Sequence, residues 1–167
     1  MGLDMYLFKV NKERGKTFRQ VIKSKNVGFD DIGYWRKANA IHYWFVENVQ
    51  NGEDNCNYYN VSREKLEDLL EICDKVLDSI KLVNGFVNVG REYTKDGGWR
   101  DIVESGKVVK DTTIAKELLP TADGFFFGST DYDEYYVEHI KNTKKIISDI
   151  LNTFDFKNNY VVYMSSW

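Results

Sequence analysis

The chain has 167 residues, 43% of them hydrophobic and 15% aromatic, with a formal net charge of −3 and a pI near 5.5. Those values fit one globular domain with a sizeable core, and they exclude a disordered chain or any overall attraction to nucleic acid or anionic membranes. No run approaches the roughly 18 consecutive apolar residues of a membrane helix, the first residues lack the basic-then-apolar order of a secretory signal, and the cysteines Cys56 and Cys73 have neither zinc nor redox spacing, so a reduced, cytoplasmic setting is expected.

In chain order, residues 3–10 alternate Leu3, Met5 and Leu7 with Tyr6, Phe8 and Val10, which predicts a central strand apolar on both faces. Lys9, Lys12, Arg14, Lys16, Arg19, Lys23 and Lys25 then stand against Glu13 alone, a basic strip read as a solvated loop or hairpin, with a landing site for a phosphate-bearing ligand or an acidic partner as the alternative. A first helix is expected from Trp35 or Arg36 to about Gln50, stopped by Asn51 and Gly52. A second follows the N-cap Ser62 and carries Leu66, Leu69, Leu70, Cys73, Val76, Leu77 and Ile80 at helical spacing.

Glycines 85, 90, 97, 98 and 106 punctuate β-prone pieces over residues 84–116, with a hairpin turn at Asp96, Gly97 and Gly98. This segment reads as a β flap or insertion. A third helix starts after Thr130 or Asp131, with Tyr132, Tyr136, Ile140, Thr143, Ile147, Ile150 and Phe154 on its inward face. The end of the chain, from Tyr160 to Trp167, is β-prone and is expected to share a sheet with the first strand. The class is therefore α+β: a single domain over residues 1–167, with a mixed or antiparallel sheet holding both termini and about three helices packed on it.

On a helix that begins at Trp35, that residue would lie with Asn39 and His42 along one edge of the apolar stripe of Ala38, Ile41, Phe45 and Val49. An Asn and a His at that spacing need hydrogen-bond partners. In a cleft they would donate to a ligand, with Arg36 supplying charge and Trp35 or Trp44 a stacking face. Gly128, Ser129 and Thr130, before the third helix, offer backbone donors to an anion. In the run Phe125, Phe126 and Phe127 at least one ring, with Phe126 the candidate, must face outward.

Catalytic signatures fail on inspection. Gly15, Lys16 and Thr17 echo the end of a phosphate loop, but Val10 stands where its first glycine belongs, and no dinucleotide fingerprint occurs. Glu134, Glu138 and His139, near Asp131 and Asp133, are the low-ranked candidates for a metal site; the competing account is helix capping, with Asp131 and Glu134 at capping-box spacing. No cofactor is expected.

The stretches "MGLDMYLF", "GYWRKANAIHYWFVENVQ", "LLPTADGFFFGSTDYDEYY" and the terminal "SSW" resemble a family of small bacteriophage and prophage proteins. The likeness implies a phage-type accessory protein acting in the host bacterial cytosol, and it brings no catalytic residues. Some relatives carry a phosphoglycerate-kinase label, which a chain this short without a phosphate loop does not support.

The leading expectation is a non-catalytic protein in which Arg36, Asn39, His42 and Trp35 or Trp44, with Gly128, Ser129 and Thr130 across a cleft, hold a small anionic or nucleotide-like ligand. The rivals are a metal-dependent phosphoester hydrolase using His42 or His139, and a module that binds a host protein through its Phe run or flap. Neither a membrane nor nucleic acid is an expected partner.

Overall fold

The alternating apolar residues of the first segment form the middle of a sheet. A computed structural model describes residues 2–124 and 126–167. In chain order they form β1 (Asp4–Asn11), α1 (Phe18–Ile22), β2 (Asp30–Arg36), α2 (Asn39–Asn48), β3 (Tyr59–Val61), α3 (Arg63–Ser79), β4 (Leu82–Tyr93), β5 (Trp99–Val109), α4 (Thr113–Leu118), α5 (Glu134–Thr153) and β6 (Asn159–Ser166). The main sheet is antiparallel in the order β2, β1, β6, β3, so the first and last strands lie side by side at its centre. The class is α+β.

Both faces of β1 are covered, as its composition requires. Leu3, Met5 and Leu7 are fully buried against α2, α3 and α5, whose contributions include Ile41, Phe45, Leu66, Leu69, Ile140 and Ile147. Phe45 stacks on Tyr163 of β6 with ring centroids 4.0 Å apart. On the opposite face a smaller cluster of Val10, Val21 and Val162 is closed by Phe8, Phe18 and Phe29. Part of the expected basic strip thus becomes α1, a short helix with a capping box between Thr17 and Gln20 that lids this face.

The first expected helix needs a correction. Residues 33–36 are the end of β2, and α2 begins only at Asn39. Antiparallel pairing with β1 places Trp35 opposite Met5, and the Tyr34 hydroxyl donates to Asp4 Oδ1 at 2.6 Å. Long-range pairing thereby overrides the local helical pattern. Gly33 is required there, because a Cβ would lie 2.8 Å from Ile146 of α5. Lys37, at φ 57°, turns the chain from strand into helix.

Residues of the 84–116 segment form a separate two-stranded hairpin, β4 with β5, rather than an extension of the main sheet. Its base is tied down by Val109 N–H to Tyr132 O and Lys110 N–H to Lys81 O. Glu134 Oε1 also accepts from Lys107 N–H at 2.9 Å. Beyond that base, residues 99–105 of β5 are all exposed. The short helices α1 and α4 and the strands β2 and β3 add to the elements the sequence suggested. Among the described residues no helix is long and apolar enough to cross a membrane.

Candidate functional site

A cleft of about 1120 Å³ opens between the hairpin and the body. Its walls are the junction of β2 and α2 at Arg36, Lys37 and Asn39, the loop through Phe126 and Ser129, and the hairpin at Arg91 and Trp99; α5 supplies the floor with Tyr136 and His139. One side chain of α2 bridges to the loop at three points. Asn39, 4% exposed, donates from Nδ2 to Phe127 O at 3.2 Å and to Ser129 O at 2.8 Å, and its Oδ1 accepts from Ala122 N–H at 3.2 Å. The amide that was expected to meet a ligand is therefore consumed in building the rim.

His42 is also structural. It is 1% exposed, with Nδ1 2.8 Å from the Tyr163 hydroxyl and Nε2 3.1 Å from Asp54 Oδ1. A carboxylate only accepts, so Nε2 carries the proton and Nδ1 accepts from Tyr163. Asp54 Oδ1 also accepts from the Trp167 indole at 3.1 Å, and Phe127 meets the His42 ring edge to face. Burial lowers the His42 pKa and outweighs the opposing pull of Asp54, so the ring stays neutral. His42 does not line the cleft.

The expected stacking faces are absent from the cleft for a similar reason. Trp35 points into the core and donates from Nε1 to Thr143 Oγ1 at 2.8 Å. Trp44 is 5% exposed and packs edge-on against Phe45. The exposed flat surfaces bordering the cleft are instead those of Trp99, Phe126 and Tyr135, 70%, 51% and 51% exposed. Phe127 is buried, and Phe125 of the expected interaction run lies outside the described residues.

Gly128, Ser129 and Thr130 line the cleft but do not cap the helix. The N-cap is Asp133, not Asp131, and its Oδ1 accepts from Tyr135 N–H at 2.9 Å and Tyr136 N–H at 3.0 Å. A carboxylate of the chain itself thus occupies those two donors at the start of α5. Burial raises the Asp133 pKa above the ordinary carboxylate range. Ser129 turns its hydroxyl to Asp131 Oδ2 at 2.9 Å.

The low-ranked metal ligands disperse as well. Glu134 holds the hairpin, Glu138 pairs with Lys141 at 2.8 Å, and His139 stands on the cleft floor, its pKa lowered by burial. Among the described residues no three His, Cys, Asp or Glu side chains gather as a metal site. Cys73 is a core residue whose thiol burial pushes up to about 12, and Cys56 is exposed.

Basic charge at the rim comes from Arg36 and from a residue the sequence reading passed over, Lys37. A Cβ built on Gly2 would lie 3.6 Å from Lys37 Cε and 3.8 Å from Arg36 Nη2, so both side chains pass beside Gly2 on the same stretch of rim. Arg36 has a carboxylate partner in Asp4, 3.4 Å away, whereas Lys37 has none among the described residues. Lys37 is held in its left-handed conformation by N–H to Leu3 O at 2.8 Å, by Asn39 N–H to its own carbonyl at 3.0 Å, and by Gly128, where a Cβ would sit 3.1 Å from Lys37 Cβ. A left-handed lysine is sterically disfavoured and leaves no mark in a sequence pattern. Searches against protein-family models, curated proteins and solved structures found no match.

Proposed function

We propose that this chain is a binding protein whose cleft takes a small ligand with an anionic group at Arg36 and Lys37 and a flat ring against Trp99 or Phe126. The presence of Arg36 and Lys37 on the same stretch of rim carries the reading. The backbone at Lys37 is strained, and Lys37, with no carboxylate partner among the described residues, offers an anion a charge-assisted contact beside Arg36. Asn39 serves this site as the residue that fixes its rim. The mixed lining, with Arg91 and Asp101 paired at 2.7 Å on the hairpin side, suits a ligand with polar groups besides its anion, as a mononucleotide has. The resemblance to phage and prophage proteins supplies the proposed setting, the cytosol of a bacterial host, where such a protein would sequester a host metabolite.

Calorimetric titration with inorganic phosphate and with mononucleotides tests the reading. Lys37→Gly separates binding from folding, since glycine accepts the left-handed backbone without the steric penalty of a Cβ. We expect Lys37→Gly to weaken binding by about tenfold, one charge-assisted contact of about 1.4 kcal/mol, while thermal stability stays level or rises. Titrations without heat for the wild-type chain would overturn the reading, as would unchanged affinity in Lys37→Gly.

A further inference from the structure

We propose that the outer edge of β5 pairs with the same edge of a second copy of this chain, antiparallel about a two-fold axis at Ile102, to join two hairpins into a four-stranded sheet. The backbone supplies the first argument. In β5 the groups that face away from β4 are those of the odd-numbered residues: Lys107 N–H reaches Glu134 and Val109 N–H reaches Tyr132, whereas Gly98 O faces Thr94 N–H across the hairpin. The odd residues from Trp99 to Ser105 therefore present their N–H and C=O groups outward with no strand beside them among the described residues. Glu134 closes this edge at Lys107, and the turn closes it at Gly98. The open run is residues 99–105, all exposed, and its midpoint is Ile102.

Side chains select the same register. Pairing about Ile102 sets Asp101 opposite Val103 of the copy and Trp99 opposite Ser105, which makes every outward-facing residue one of a hydrogen-bonded pair. The same alignment puts Arg100 opposite Glu104 of the copy twice, by symmetry, on the face that also carries Ile102. Within its own chain Arg100 pairs with Glu92, while Glu104 has no ion pair among the described residues. Moving the register by one repeat toward the turn would oppose Asp101 to Asp101 of the copy. Two of the features that block such pairing are missing from this edge: β5 has no proline, and the hairpin's bulge, between Asn88 and Gly90, is on β4. Trp99, Ile102 and Val103 are β-prone and at least 38% exposed.

Sedimentation velocity on the full chain provides the test. Wild type should dimerise below about 0.1 mM. Glu104→Arg sets arginines against each other and Arg100→Glu sets glutamates against each other, so each variant alone should associate at least about tenfold more weakly. Mixed in equal amounts, the two variants restore both opposite-charge pairs and should form a heterodimer of about wild-type affinity. Glu104 is exposed and unpartnered, so Glu104→Arg should fold normally, which circular dichroism checks. A wild-type chain that stays monomeric, or charge variants whose mixture associates no better than either alone, would overturn the proposal.

Discussion

The body and the β4–β5 hairpin treat their polar and aromatic groups in opposite ways. In the body Trp35, Asn39 and His42 sit below 5% exposure, and each side-chain polar atom meets a named partner. On the hairpin Phe86, Tyr93 and Trp99 are more than 60% exposed, and one strand edge is open over seven residues. A two-stranded ribbon standing alone is marginal in water. Cross-strand pairs support this one, Arg91 with Asp101, Arg100 with Glu92, and Tyr93 edge-on to Trp99. The difference teaches that polar residues in the body mark packing where they are buried, and that the hairpin is where aromatic rings and backbone groups stay exposed.

The comparison breaks most visibly at Asn39. Asn39→Ala strips the partners from Phe127 O, Ser129 O and Ala122 N–H, and it should destabilise the chain by about 2–4 kcal/mol in urea unfolding. A cost near zero would mean that the loop holds itself.

Next comes His42. His42→Leu leaves the fully buried Tyr163 hydroxyl without its acceptor and should cost about 1–3 kcal/mol. Adding Tyr163→Phe should recover part of that loss, because the orphaned hydroxyl goes with it. Strict additivity of the two substitutions would show that the pair is not coupled.

The neutral, buried His42 ring also sets a pH dependence. The unfolded chain takes up a proton near the ordinary value of 6.5 while the folded chain resists it, so between the two pKa values the unfolded state binds more protons. The His42 contribution is therefore present above pH 6.5 and is lost as pH falls below it. His139 acts with the same sign, and Asp133, whose pKa is raised, acts with the opposite sign in a more acidic window. Urea midpoints at about pH 7.5 and about pH 5.5 should differ more in wild type than in His42→Leu. Equal differences would assign the slope to other groups.

The smallest effect belongs to the hinge between the two regions. Glu134→Ala removes the acceptor for Lys107 N–H and should cost about 1 kcal/mol, with faster hydrogen exchange confined to hairpin amides. Faster exchange spread through α5 instead would make Glu134 part of the body.

Much of the fold was legible because strong periodicity and burial coincide. Residues 3–10, the Ser62-capped α3 and the inward stripe of α5 each satisfy local preference and tertiary packing at once. Trp35 and Arg36 read as the start of a helix but belong to β2, because their strand character comes from β1, thirty residues earlier, through pairs such as Trp35 with Met5. In the candidate site, Arg36, Asn39 and Gly128 to Thr130 do border the cleft, whereas His42, Trp35 and Trp44 turn inward. Lys37 was invisible, since a positive φ at lysine follows from the surrounding contacts and not from its own chemistry. Trp99 stood out only as a hairpin aromatic until the fold brought the hairpin over α5.

The most direct measurement of the binding claim is a titration of the labelled protein with a mononucleotide, followed by amide and indole N–H chemical shifts. The account predicts movement of the Trp99 indole and of the Lys37 and Gly128 amides, with the Trp35 indole, bonded to Thr143 in the core, unmoved. Static Lys37, Gly128 and Trp99 signals at saturating mononucleotide would contradict it.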